Sequence, residues 1–211
     1  MQSCNTSNTL EKIKKTSLEP DRAMIQNLIN AFDGTLREGV ELKAAKVVID
    51  ETRLQQIFLN HLSDLGVTVE SATPQNYSNQ YFNYIQNIAL CANFNSSEDF
   101  IAHLQNLQEI SKNSTELNFS EIQNILDKSE FMIRLVEWIK NNQDLFEQSS
   151  QKCSGWWSCW GKCVAGIAGG AITGGLGGAA AGSIVPVLGT GWGAALGAVG
   201  GGLTGAATFC D

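Results

Sequence analysis

The side chains in this sequence best suited to covalent or coordination chemistry are six cysteines and two histidines. Cys153, Cys159, Cys163 and Cys210 bracket the C-terminal part of the chain, whereas Cys4 and Cys91 stand apart and read as free thiols. Two chemistries are open to the bracketing four. As disulfides, Cys210 joins Cys159 or Cys163 and the other pairs with Cys153. Such a bridge closes a loop of about 50 residues and is worth a few kcal/mol through the unfolded state. Three connectivities exist and the spacing does not choose among them. As a metal site, C-x5-C-x3-C lacks the usual C-x2-C knuckle and has no histidine nearby. Disulfides are therefore favoured, which implies that this segment ends outside a reducing cytosol. His61 and His103 fall on predicted helices among ordinary helix-surface residues and read as surface or half-buried groups. H-x-x-x-H, G-x-S-x-G and phosphate-loop patterns do not occur. Gly200-x-Gly202-x-x-Gly205 matches the dinucleotide fingerprint in letters alone, because no strand precedes it. Sequons at Asn76 and Asn113 are what an Asn- and Ser-rich chain makes by chance. No catalytic, cofactor-binding or metal-binding residue is expected, and the chain does not read as an enzyme.

The cysteines enclose the stretch that organises the chain. Between Cys163 and Cys210 there is no charged residue. Glycine recurs there every fourth position, as Gly166, Gly170, Gly174, Gly178 and Gly182, then as Gly189, Gly193, Gly197, Gly201 and Gly205. The two ladders mirror each other about Val185-Pro186, which predicts an antiparallel helical hairpin with its tip at that step. Positions four apart share one row of a helix, so a bare row lets two backbones approach closely, as helices do in lipid. Each arm of roughly 20 residues reaches roughly 30 Å, enough to cross a hydrocarbon core. In water the ladder glycines of one arm oppose helix by about 5 kcal/mol, whereas in lipid unpaired peptide groups cost more than that. The hairpin is thus expected to need a membrane or a protein cover. Its uncharged tip suits tip-first insertion, and Trp156, Trp157 and Trp160 stand where an interfacial aromatic belt would lie. A flexible linker or a glycine-rich core inside a soluble fold are the alternatives; a linker would not need the Ile, Leu, Val and Trp192 woven through it.

The elements upstream are helical. Leu18-Glu19-Pro20-Asp21 starts a helix with Met24, Ile25, Leu28, Ile29 and Phe32 on its apolar face and a stop at Asp33-Gly34. A second stretch, about Gly39 to Leu65, turns Val47, Leu54, Phe58, Leu62 and Leu65 inward, with a break near Asp50-Glu51-Thr52 and a stop at Gly66. A third, about Asn76 to Asn93, presents Tyr77, Tyr81, Tyr84, Ile85, Ile88 and Ala89. Ser96-Ser97 caps a fourth with Phe100, Ile101, Leu104, Leu107 and Ile110 inward. Ser120 and Gln123 read as a capping box for the last, which runs through Ile122, Leu126, Met132, Leu135, Val136 and Ile139 to Phe146. No segment alternates like a strand. The expected fold is all-α: an N-terminal bundle of five or six helices followed by a C-terminal glycine-zipper two-helix hairpin. The expected organisation is a flexible N-terminus (1–17), an acidic bundle (18–147), a linker with the Cys/Trp cluster (148–162) and the hairpin (163–211). Gln148 to Lys152 is polar and aperiodic, a natural place for a protease to cut.

Charge narrows the partners. The formal charge is −7, and of 14 basic and 21 acidic residues only Lys152, Lys162 and Asp211 lie beyond residue 150. An acidic bundle without a basic cluster argues against nucleic acid and against electrostatic attraction to an anionic membrane. Met1 to Thr16 has no apolar core, so no standard N-terminal signal peptide is read there.

On its two ladders and cysteine bracket, the segment 153–211 resembles the glycine-rich two-helix membrane-active segments of small bacteriocins, of the colicin V-like and double-glycine-leader classes, and glycine-zipper membrane domains. The order of parts is similar to that of halocin precursors, in which the N-terminal part confers immunity and the C-terminal part is released as toxin. Here Gly169-Gly170 lies inside the ladder rather than at a leader cleavage site. The resemblance implies an antimicrobial, bacteriocin-like toxin precursor whose hairpin permeabilises membranes while the bundle shields it. Its partners would be a lipid bilayer, further hairpins through their glycine faces, and a processing protease or exporter. It would be membrane-associated, or secreted after processing. The alternative is a non-toxic interaction protein anchored by the hairpin.

Overall fold

The computed structural model describes residues 15, 17–46, 51–67, 77–89 and 94–143. Among them the chain is all-α, with five helices: α1 (Arg22–Ala44), α2 (Glu51–Asp64), α3 (Asn79–Ala89), α4 (Ser97–Lys112) and α5 (Phe119–Asn141). The last helix is the axis of the bundle. It packs against α1, α3 and α4, while α2 lies on α1. That central position explains its sequence: Ile122, Ile125, Leu126, Met132, Ile133, Leu135, Val136 and Ile139 are all buried, a stripe too wide for one neighbour.

Gly34 does not stop α1, contrary to the expectation from sequence; the helix continues ten residues further, to Ala44. One interior glycine costs only about 1 kcal/mol, and tertiary packing outweighs it. Leu36 and Thr35 are buried just beyond it, Thr35 Oγ1 donates to the Ala31 carbonyl at 2.7 Å, and Arg37 reaches back to Asp33 at 2.9 Å. The glycine serves close approach. The His61 ring of α2 lies over it, so that a Cβ at position 34 would stand 2.8 Å from the imidazole. Since the half-buried ring can swing away, Gly34→Ala is expected to change stability by less than about 1 kcal/mol, as helix propensity gained offsets packing lost. In a His61→Ala background the same change should stabilise by about 1 kcal/mol. Urea denaturation of the four proteins checks this; identical effects in both backgrounds would refute the contact.

Residues 39–44 complete α1, so the stretch expected from Gly39 to Leu65 is divided, and α2 begins at Glu51. Val47 lies outside the described residues, as does the side chain of Leu54. Phe58 and Leu62 are buried, but Leu65 is 40 % exposed. The reason is the helix end. Gly66 adopts φ 73°, its N–H bonds the Ser63 carbonyl and that of Val67 bonds the Leu62 carbonyl, both at 2.9 Å. This paired closure by a left-handed glycine leaves Leu65 outside and carries Val67 into the core.

α3 is shorter than expected within the described residues. Ser78 Oγ accepts from the Tyr81 N–H at 3.1 Å and caps its start. Tyr81, Tyr84, Ile85 and Ile88 are buried, and Tyr77 packs on the core, stacked on Tyr81 at 4.1 Å. Residues 76 and 90–93 lie outside the described set, as does the side chain of Ala89. In α4, Ser96 is the N-cap and accepts from the Asp99 N–H. Phe100, Leu104 and Leu107 are buried, whereas Ile110, expected inward, is 48 % exposed. The inward row ends on buried Ser111, one residue round the helix from Ile110.

The capping box of α5 is Asn118 and Glu121, not Ser120 and Gln123. Both residue pairs have the same spacing. What selects the register is Leu117, buried at 1 % before the cap, with buried Ile122 five residues on, the arrangement of a hydrophobic staple. Phe146 lies outside the described residues. At the N-terminal edge, Lys15 is buried, donates from Nζ to the Leu117 carbonyl at 2.9 Å and sits over the Phe119 ring.

Candidate functional site

The ten ladder glycines between Gly166 and Gly205, the Val185-Pro186 tip, Cys153, Cys159, Cys163, Cys210, Trp156, Trp157 and Trp160 all lie outside the described residues. So do Cys4, Cys91 and Asn76. Asn113 is the exposed C-cap of α4, its side chain donating to the Glu109 carbonyl. The two histidines are placed apart. His61 lies over Gly34 with Nε2 3.3 Å from Glu38. His103 tilts against Phe94 and meets the Asn87 carbonyl at 3.2 Å.

The chemistry-bearing groups that the fold does bring together form a polar seam on α5. Sequence reading missed it. Glu121, 2 % exposed, accepts from two backbone N–H groups: Asn118 at 2.9 Å and Ser78 at 2.6 Å. One carboxylate thus serves the N-termini of α5 and α3. Asp127 does the same for α1, accepting from the Asp21 N–H at 2.8 Å and from Gln123 at 3.0 Å. Asp21 is itself bonded to the Met24 N–H at 3.0 Å, as an N-cap would be. Burial raises the Asp127 pKa, against the two hydrogen bonds that lower it. At the other end of α5, Lys140 bonds Glu98 at 2.6 Å in the first turn of α4. That bond, with the backbone and Ser97 hydrogen bonds behind it, lowers the Glu98 carboxyl to about 2.

Between these lies a three-residue cluster. Tyr81 Oη donates to Asn124 Oδ1 at 2.6 Å, and Lys128 Nζ donates to Tyr81 Oη at 2.9 Å and to the same Asn124 oxygen. Desolvation lowers the Lys128 pKa to about 7, opposed by Asp127. An amine near neutrality beside a phenol is a pair that enzymes use as base and nucleophile. Here both are tied to Asn124, and neither lines the groove formed by Gln80 and Tyr84 of α3 with Glu109, Ile110 and residues 113–116 around the end of α4. The cluster joins α3 to α5. Its sequence signal was available: Glu121, Asn124 and Lys128 recur at helical spacing within the apolar face. Among the described residues, no group of three His, Cys, Asp or Glu side chains is placed to hold a metal ion.

Comparison with known proteins adds no assignment. No protein-family model, curated protein or solved structure matches this chain. Its functional reading therefore rests on its own residues.

Proposed function

We propose that the chain is a bacteriocin-like toxin precursor: the glycine-zipper hairpin, residues 163–211, inserts into and permeabilises membranes, and the bundle shields it or confers immunity. The observation that carries this is the uncharged stretch from Cys163 to Cys210 with its two mirrored glycine ladders. None of the described helices is long and apolar enough to cross a membrane. The seam on α5 is engaged in joining and capping helices, a structural use of its carboxylates and amine.

Purified 153–211, oxidised, is expected to release dye from liposomes. Isoleucine in place of Gly174 and Gly197 should abolish release, because a side chain on each ladder prevents the backbones from meeting. Absence of leakage from the unaltered segment would overturn the proposal. Fractionation of the native protein separates the alternative: a released C-terminal fragment belongs to a toxin, whereas only full-length protein in membranes belongs to an anchored interaction protein.

A further inference from the structure

The end of α4 leaves a shallow groove on the bundle surface. Tyr84 and Gln80 of α3 form one side, Glu109, Ile110 and Asn113 of α4 the other, and Glu116 closes it from the loop before α5. Its apolar content is unusual for a polar loop: Ile110 is among the few large hydrophobic residues exposed in the described bundle, and Tyr84 is 8 % exposed beside it. Its charge is negative. Glu109 shares Lys112 with Glu19, at 3.6 and 3.2 Å, while Glu116 makes no ion pair among the described residues. Glu116 also acts on Tyr84, whose pKa is raised by burial first and by that carboxylate second. A surface of this kind suits an aromatic side chain followed by a cation.

We infer that the groove receives residues 156–162 of the same chain, Trp-Trp-Ser-Cys-Trp-Gly-Lys, with an indole against Tyr84 and Ile110 and Lys162 beside Glu116. The inference rests on the precursor reading and says where the bundle holds the hairpin: at its base. Charge is the first argument. Beyond residue 150 the sole basic residues are Lys152 and Lys162, with three tryptophans between them, whereas residues 18–147 are acidic in balance and the basic residues near the N-terminus, Lys12, Lys14 and Lys15, have no tryptophan beside them. Reach is the second. The groove adjoins the N-terminal end of α5, and the chain leaves from the far end, about 33 Å away at the rise of a helix of this length. Extended chain from residue 143 to Trp156 spans at most about 45 Å, which suffices. The tryptophans and Lys162 are within that reach and are the first segment after α5 to combine indoles with a cation. Docked there, the tryptophans are withheld from the membrane interface that such residues favour.

The test uses the full chain with p-benzoylphenylalanine at position 110, a half-exposed site. After irradiation and trypsin digestion, the principal adduct should be with the fragment 153–162. Glu116→Lys should weaken that adduct about fivefold, since an attraction becomes a repulsion, while the thermal melt stays as in the parent chain. Principal adducts with any other segment, residues 1–14 included, would overturn the inference. So would adducts of mixed mass as the main product when heavy-isotope and unlabelled chains are combined, because a second copy would then be the occupant. Liposome leakage by the separate segment 153–211 tests the precursor reading independently. Leakage without the adduct refutes docking alone, and the adduct without leakage refutes the toxin alone.

Discussion

Glu121→Ala is expected to destabilise the bundle by about 3 kcal/mol, measured by urea denaturation followed in the far-ultraviolet. The side chain is 2 % exposed and accepts from the backbone N–H groups of Asn118 and Ser78. Alanine would leave both donors without their acceptor. A buried donor deprived of its partner costs about 1–3 kcal/mol, and the negative charge at two helix N-termini contributes about 0.3–1 kcal/mol at each. Glu121→Gln separates the two parts. Glutamine keeps one oxygen for one N–H and turns an amide group toward the other, so its cost should fall to about half that of alanine. A loss below about 1 kcal/mol for Glu121→Ala would show that water replaces the carboxylate and that it does not join α3 to α5.

Lys128→Met should do the opposite, and its effect should depend on pH. The folded-state pKa of Lys128 is lowered to about 7 from 10.5, chiefly by burial. Between those two values the unfolded chain binds the proton more than the folded chain does. Stability of the parent protein therefore rises with pH from about 7 towards 10.5 and receives no such gain below about 7. Methionine fills similar space without the charge, and the bond from Tyr81 to Asn124 remains. The variant should be more stable than the parent by about 2–3 kcal/mol at pH 6, less than the full shift implies because the residue is half-buried and partly solvated. The difference should shrink as pH approaches 9.5, below the range where tyrosines ionise. Denaturation at pH 6, 7.5 and 9 decides it. A constant difference across that range would mean that Lys128 titrates alike in both states.

These two substitutions fall on residues of the same helix, and neither was singled out from sequence. The apolar rows were legible because they follow local geometry: the buried positions Ile122, Leu126, Met132, Leu135, Val136 and Ile139 recur at helical spacing. Ser96 as a cap and Gly66 as a stop were legible for the same reason, each being a choice made within a few residues of chain. Gly34 was not. Whether a glycine ends a helix or admits a neighbour depends on His61, which is remote in sequence. Asn118 and Ser120 are equally good caps by type, and Leu117 entering the core decided between them.

What the sequence alone determined is the all-α class of the bundle, most of its inward faces and the concentration of acidic charge upstream of an uncharged, glycine-laddered tail. Tertiary structure alone decided which polar residues go inside. Glu121 and Asp127 are buried because the backbone ends of α3 and α1 arrive beside them with unsatisfied N–H groups. A carboxylate on a helix is written identically whether it meets water or another helix's first turn. Only the packing of distant segments distinguishes the two, since the energy that holds the charge inside belongs to the partner and not to the residue.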